Sequence, residues 1–98
     1  VPEDHVPLTT SSHPTFYWYL DTDLFAPIRL TIPEPGEPSE IYIRNWSKGK
    51  HGLYAVKLPE QVQPIQVGKQ YRWTVTVICN PEKPSENFYE KAWVERVT

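Results

Sequence analysis

The chain has 98 residues, 39% of them hydrophobic and 13% aromatic, so it is long enough for one domain with one core and too apolar to remain disordered. Its formal net charge of -2 does not favour binding to nucleic acid or to an anionic membrane surface. No apolar stretch approaches the roughly 20 residues that a membrane-spanning helix needs.

In chain order, seven short segments alternate apolar and polar residues with the period of two that indicates half-buried β-strands. Eleven prolines are distributed along the chain and leave no room for long helices. The segments are 8–10, 15–20, 28–32, 39–45, 53–58, 71–79 and 88–97. Their number and spacing predict an all-β fold, an immunoglobulin-like antiparallel β-sandwich of about seven short strands that forms one domain over residues 1–98.

The alternation also predicts which side chains form the core. In the fourth segment, we expect Ile41 and Ile43 to point inward and Tyr42 and Arg44 to point outward. Over the whole chain, the predicted core residues are Phe16, Trp18, Leu30, Ile43, Val56, Tyr71, Trp73, Val75 and Val77.

The segment 71–79 has the most regular alternation. A glycine turn at Gly68 comes just before Tyr71, the first inward residue. In immunoglobulin-like sandwiches, a tyrosine at this corner buries its ring and bonds through its hydroxyl to the preceding backbone, here residues 65–68. Trp73 should then be the most deeply buried ring, and Cys79, the only cysteine, should end the inward row as a buried, unreactive thiol. The alternative is that Cys79 points into the turn at Asn80-Pro81, where its reactivity would rise.

Aromatic residues also occupy outward positions, where a sheet with one solvated face would carry polar side chains. Three interpretations remain open for them. The rings cover a surface on which a missing segment packs, they form a binding platform for sugar rings or a peptide, or they are scattered single exposed residues. The inward residues of the last segment would be Phe88, Glu90, Ala92 and Val94. The predicted interaction surface consists of Tyr17, Tyr19, Tyr89 and Trp93.

Five stretches carry a resemblance that covers most of the chain. They are HPTFYWYL at 13–20, API at 26–28, Gly-Lys-x-Tyr-x-Trp at 68–73, Cys-x-Pro-x-x-x-Ser at 79–85 and Trp-Val-Glu-Arg-Val at 93–97. In this order they resemble the cyanobacterial family "domain of unknown function 928". The resemblance implies an exported protein with an N-terminal signal and a helical segment after this domain, and it implies no catalytic residue. The sequence contains no methionine, so we expect either a cleaved leader or excision from a longer exported protein.

No pattern in the chain predicts the chemistry of an active site. The three histidines are scattered, without the close spacing that metal ligands need. Cys79 lies on the inward face by alternation, where an apolar setting would make its thiol inert as a nucleophile. Asp21 and Asp23 follow a predicted strand, as residues of a structural loop do. We therefore expect no catalytic, cofactor-binding or metal-binding residue and no enzyme activity.

These observations predict a non-catalytic interaction or structural module of a protein in the periplasm, in the envelope or outside the cell. It would dock to protein through an aromatic-bearing sheet face, either to a missing C-terminal segment of its own protein or to an unknown partner. The alternative is a carbohydrate-binding module that uses exposed Trp and Tyr rings. We expect neither nucleic-acid binding nor membrane insertion.

Overall fold

The computed structural model describes residues 7–79, 82 and 87–98, and it contains seven β-strands. They are β1 (Leu8–Thr9), β2 (Thr15–Leu20), β3 (Ile28–Pro33), β4 (Glu40–Trp46), β5 (Gly52–Lys57), β6 (Gln70–Val77) and β7 (Phe88–Arg96). No residue of this described part is helical. The prediction of an all-β fold is confirmed, and each predicted segment overlaps one strand.

The strands form two sheets that pack as the layers of an open sandwich. The large sheet has five strands in the order β1-β7-β6-β3-β4, and the small sheet pairs β2 with β5. All pairs are antiparallel except β1 and β7, which run parallel with Leu8 opposite Glu95. The prediction of a purely antiparallel sandwich is therefore wrong at this edge. The first strand pairs with the last one, and strands so far apart in the chain are not joined by a hairpin, which would make them antiparallel.

Both sheets contribute side chains to one core. Phe16 and Val56 lie on the inner face of the small sheet, and Leu30, Tyr71 and Val75 face them from the large sheet. The prediction that these five residues are buried is confirmed. Beyond that list, Ile28, Ile32, Leu58, Ile65 and Val94 are also buried, and the predicted inward direction of Val94 is confirmed.

Three further predicted core residues are only partly buried. Trp18 and Trp73 pack against the core, and Val77 lies at the end of β6. The sequence predicts Trp73 as the most deeply buried ring, but Tyr71 is more deeply buried. The reason is that, among the described residues, the small sheet has two strands and leaves part of the large sheet uncovered.

Strand β4 presents to the core the face that was predicted to point outward. Ile43 is 48% exposed, whereas Tyr42 and Trp46 pack against the core. Ile41, which is also predicted to point inward, does pack against the core, at the register shift between β3 and β4. Tyr42 lies opposite Ile32 and Trp46 lies opposite Ile28, so both are on the buried side of β3. Because apolar residues occupy both faces of β4, its alternation alone cannot identify the inward one.

The turn before β6 contains the predicted tyrosine corner. The Tyr71 ring is buried, and its hydroxyl oxygen accepts a hydrogen bond from the Gln66 backbone N–H at 2.9 Å. Gly68 has a φ of +85°, a conformation that residues with a Cβ rarely adopt, and its N–H donates to the Arg96 carbonyl at 2.9 Å. Both predictions about Tyr71, the buried ring and the bonded hydroxyl, are confirmed.

Cys79 is an exposed free cysteine, so the prediction of a buried thiol is wrong. Strand β6 ends at Val77. The next two N–H groups donate to partners outside this strand: Ile78 to the Pro27 carbonyl at 2.9 Å and Cys79 to the Asn87 side chain at 3.1 Å. The strand alternation therefore stops before Cys79 is reached.

Candidate interaction site

The outer face of the small sheet carries a patch of exposed apolar side chains. Tyr17 and Tyr19 on β2 lie opposite Ala55 and Leu53 on β5, respectively. The exposed fraction is 59% for Tyr17, 66% for Tyr19 and 69% for Leu53. We name these four residues the small-sheet face.

The inner face of the same two strands is buried. Phe16 and Val56 lie opposite each other there, and both belong to the core. An antiparallel sheet with one solvated face normally carries polar side chains on that face. The small sheet is instead apolar on both sides at its centre, which is the pattern of a sheet that is covered on both sides.

Aromatic rings hold the small sheet on the large one. The Trp18 ring stacks on Tyr54 with centroids 5.0 Å apart, and Trp46 contacts both rings edge-on. The guanidinium of Arg44 lies 4.9 Å from the centroid of the Trp46 ring, so Arg44 lies on the same side of β4 as Trp46, where it is exposed. These contacts between rings fix the position of the small-sheet face.

Strand β7 turns Tyr89 and Trp93 to the outer face of the large sheet, where they are 51% and 41% exposed. Trp93 lies opposite Arg72, whose guanidinium is 5.8 Å from its ring centroid, whereas the next residue, Val94, is buried. The predicted direction of Trp93, away from the core, is confirmed. The side chain of Phe88, which was predicted to face the core, lies outside the described part of the structure.

The structure does not bring the four predicted surface residues together. Tyr17 and Tyr19 lie on the outer face of the small sheet, and Tyr89 and Trp93 lie on the outer face of the large sheet. The two pairs therefore lie on different sheets, although Tyr17 and Trp93 both line one cavity of about 560 Å³ beside β2. Sequence reasoning also missed Leu53, although a large apolar residue at an outward position of its strand was a signal for it.

A groove runs between β2 and the inner face of β7. It consists of two adjoining cavities of about 560 Å³ and about 460 Å³. Both are lined by Tyr17, Trp73 and Ala92; the larger extends to Val94 and the smaller to Glu90. We name it the β2 groove.

His13 ties the start of β2 to the loop that follows β5. Its ring is 11% exposed, with Nε2 2.7 Å from the Val62 carbonyl oxygen and Nδ1 3.0 Å from the Ser12 hydroxyl. Because a carbonyl oxygen can only accept, Nε2 carries a proton and donates it to Val62, while Nδ1 also lies 3.4 Å from the Glu60 carboxylate. Both ring nitrogens are thus engaged in holding the fold, which indicates a structural role.

Asp23 has the structural role that was predicted for the loop after β2. Its Oδ1 accepts hydrogen bonds from the His51 backbone N–H at 2.9 Å and from the His51 Nδ1 at 2.6 Å. These bonds, the backbone one most strongly, hold the pKa of the Asp23 carboxyl below its ordinary value. Because the pKa is lowered in the folded chain, the contact stabilises the fold at pH values above the ordinary pKa of the carboxyl group. This stabilisation is lost as the pH falls through the lowered pKa.

We expect the substitution His51→Ala to raise the pKa of Asp23 only part of the way to its ordinary value. The variant loses the imidazole donor but keeps the backbone N–H, which contributes most to the lowered pKa. An NMR titration of the carboxyl carbons measures the change. Glu60 is the control, because Lys57 lowers its pKa most strongly and the substitution leaves Lys57 in place. A complete return of Asp23 to the ordinary pKa would contradict this assignment of causes.

Among residues 7–79, 82 and 87–98, no three His, Cys, Asp or Glu side chains are grouped so that they could hold a metal ion. In the same described part, no helix is long and apolar enough to cross a membrane. What these residues offer is the exposed apolar small-sheet face and the β2 groove beside it.

A comparison with protein-family models matches the entire chain. The family described as Domain of Unknown Function (DUF928) matches residues 1–98. No curated protein and no solved structure matches the chain.

Proposed function

The chain belongs to the DUF928 family, and we propose that it is a non-catalytic protein-interaction module that docks to a partner protein through the small-sheet face. The observation that carries this proposal is that the two-stranded sheet is apolar on both sides, while the core covers only one of them. As the family resemblance implies, the protein that contains this domain would act in the periplasm, in the envelope or outside the cell.

The small-sheet face has the chemistry of a protein contact. Its two tyrosines offer flat apolar area with few rotatable bonds, and each keeps a hydroxyl for a hydrogen bond. An aromatic side chain buries about 150–250 Å², so covering one ring contributes several kcal/mol at about 25 cal/mol per Å². The stacked rings of Trp18 and Tyr54 beneath the face keep it in place, which lowers the entropy lost on binding.

Site-specific photo-crosslinking in the native cell tests the proposal. A photoreactive amino acid at position 19 should give a defined adduct with one partner protein. The same amino acid at position 43, which is also exposed but lies on β4, should give none. Absence of a protein adduct at position 19, or equal adducts at both positions, would contradict docking through the small-sheet face.

We expect the double substitution Tyr19→Ser with Leu53→Ser to weaken association with the cross-linked partner at least about tenfold. Both side chains are more than half exposed, so their removal should leave the domain folded. Binding of the purified partner, followed by calorimetry, measures the loss. Ile43→Ser is the matched control, because it removes an exposed apolar side chain from β4 in the large sheet. A greater loss in the control would place the contact on the large sheet instead.

We also propose that the sandwich is of the immunoglobulin type. In that fold, strands C, F and G are neighbours in one sheet, and strands B and E belong to the facing sheet. The order β7-β6-β3 in the large sheet and the pairing of β2 with β5 support this correspondence. The tyrosine corner at the start of β6 supports it as well. A crystal structure with another strand order would contradict it.

Carbohydrate binding at the outer face of the large sheet is the second candidate function. Tyr89 and Trp93 lie four residues apart on β7, a distance of about 13 Å along a strand, and both are exposed. Arg72 beside the Trp93 ring adds hydrogen-bond donors for hydroxyl groups. A pull-down with insoluble polysaccharides tests this function. Retention that Trp93→Ala abolishes would favour it, and absence of retention would remove it.

A further inference from the structure

One backbone edge of β2 points away from its partner strand. The Leu58 N–H donates to the Pro14 carbonyl at 2.9 Å, so residues 14 and 58 are a hydrogen-bonded pair in the register of β2 and β5. In an antiparallel ladder such pairs recur at every second residue, and Phe16 and Trp18 therefore bond to β5. The N–H and C=O groups of the residues between them point to the other side.

The outward-pointing groups belong to Thr15, Tyr17 and Tyr19. No described residue forms a backbone hydrogen bond with them on that side, and β2 has β5 as its only neighbour in the described sheets. An edge of this kind is a template for another strand. The length of β2, six residues or about 20 Å, is enough to pair with a short extended segment.

The space beside this edge is the β2 groove. In the small sheet, Tyr54 of β5 packs on Trp46 of β4, and Phe16 of β2 packs on Trp73 of β6. In the large sheet, β7 is the neighbour of β6 on the side away from β3 and β4. A strand added to the free edge of β2, about 4.8 Å away, therefore lies above β7. The floor there is apolar and includes the small side chain of Ala92, which leaves room for the side chains of an added strand.

One end of this apolar floor carries a carboxylate. Glu90 lies opposite Val75, on the inward side of β7, and lines the groove together with Leu20 and Asp21 at the end of β2. Its side chain is exposed, and no described Lys, Arg or His forms an ion pair with it. A basic side chain of a segment that enters the groove would be complementary in charge to Glu90 at this end.

We propose that the β2 groove is a strand-addition site for an extended segment of a partner protein. The segment pairs with the open edge of β2, turns apolar residues at alternate positions toward Trp73 and Ala92, and places a Lys or Arg opposite Glu90. The inference deepens the proposed function, on which it rests, by giving the partner's chemistry and its mode of binding. The same partner covers the small-sheet face and completes the small sheet.

A synthetic peptide titrated into the isotope-labelled chain tests the proposal by NMR. The probe is a capped nonapeptide that alternates valine and threonine, with valine at the odd positions. Lysine replaces the valine at one end. We expect saturable binding, with the largest amide shifts at Tyr17 and Tyr19. A peptide with the same residues in scrambled order should bind at least about tenfold more weakly, because it cannot place all its apolar side chains on one face.

Two substitutions, one on β2 and one on β5, separate the groove from the small-sheet face. Tyr17→Pro removes the groove-facing N–H, and proline is tolerated at the edge of a sheet, so the domain should fold and lose peptide binding at least about tenfold. Leu53→Ser removes an exposed apolar side chain of the small-sheet face that does not line the groove, so this variant should keep peptide binding. Loss of peptide binding in both variants would mean that the peptide contacts the outer face, which supports the proposed function and overturns the strand-addition site.

The carboxylate gives a test that does not depend on a proline. Glu90→Gln should weaken peptide binding about two- to fivefold at low salt, whereas Glu95→Gln, which removes the same charge from the opposite face of β7, should not. Equal effects of the two substitutions would overturn the role of Glu90. The partner-strand proposal would be overturned if the peptide failed to bind, or if sedimentation equilibrium showed that the chain dimerises through β2. Neither result bears on the small-sheet face, which the crosslinking experiment tests separately.

Discussion

Replacing Leu30 by alanine should lower the free energy of unfolding by about 2–5 kcal/mol. Leu30 lies in the middle of β3, which is bonded to β4 on one side and β6 on the other, and its side chain is fully buried. The substitution removes apolar contacts and leaves a cavity that surrounding strands of two sheets cannot close. Urea unfolding followed by tryptophan fluorescence measures the change.

The matched control is Ile43→Ala on the neighbouring strand. Its side chain is 48% exposed on the outer face, so we expect a loss of less than about 1 kcal/mol. The sequence alone predicts Ile43 as a core residue, so this pair of variants distinguishes the two assignments of the β4 faces. A loss at Ile43 as large as the loss at Leu30 would contradict the register between β3 and β4.

Replacing Tyr71 by phenylalanine should lower the free energy of unfolding by about 1–3 kcal/mol. The ring stays in the core, but the Gln66 N–H loses the hydroxyl oxygen that accepts its hydrogen bond. This cost arises because a partly buried donor is left without a partner, and it does not reflect lost apolar contact. The same denaturant titration measures it.

Tyr19→Phe is the control for the hydroxyl, because Tyr19 is 66% exposed on the small-sheet face. Its effect on the free energy of unfolding should stay within about 0.5 kcal/mol. If Tyr71→Phe were equally mild, the hydroxyl of Tyr71 would not hold the turn, and the glycine at position 68 alone would account for its shape.

Alternation predicts the direction of a side chain well where the two faces of a strand differ strongly in polarity. In β3, the three isoleucine and leucine residues at every second position are all buried, and Arg29 between them is exposed. In β4, both faces carry large apolar residues, so only pairing with β3 decides which one is buried. Direction in such a strand depends on long-range register, which no local pattern contains.

The position of a strand within the two sheets is likewise absent from the local pattern. Tyr19 and Trp93 are both predicted as outward, and both are exposed, yet they lie on opposite sides of the sandwich. Alternation indicates that a residue points away from the core but not which layer it belongs to. Ile65 shows a related limit, because it is fully buried from a loop and belongs to no alternating strand.

The partial burial of Trp73 and the open edge of β2 have one common cause. Within the part of the chain that the structure describes, the small sheet covers only part of the width of the large sheet, so the ring of Trp73 lies at the floor of the β2 groove and is only partly buried. The sequence shows a row of inward residues on β6, and it does not show how many strands lie above that row. An unfinished second layer explains the groove, the unpaired edge and the apolar outer face together.

Amide hydrogen exchange of the free chain, resolved by residue with NMR, tests this unfinished layer most directly. The N–H groups of Phe16 and Trp18 bond to β5 and should exchange slowly, whereas those of Tyr17 and Tyr19 point into the groove and should exchange much faster. This alternation within one strand is the result that we expect. Equally slow exchange at all four residues would show that the edge of β2 is already paired and would contradict an open second layer.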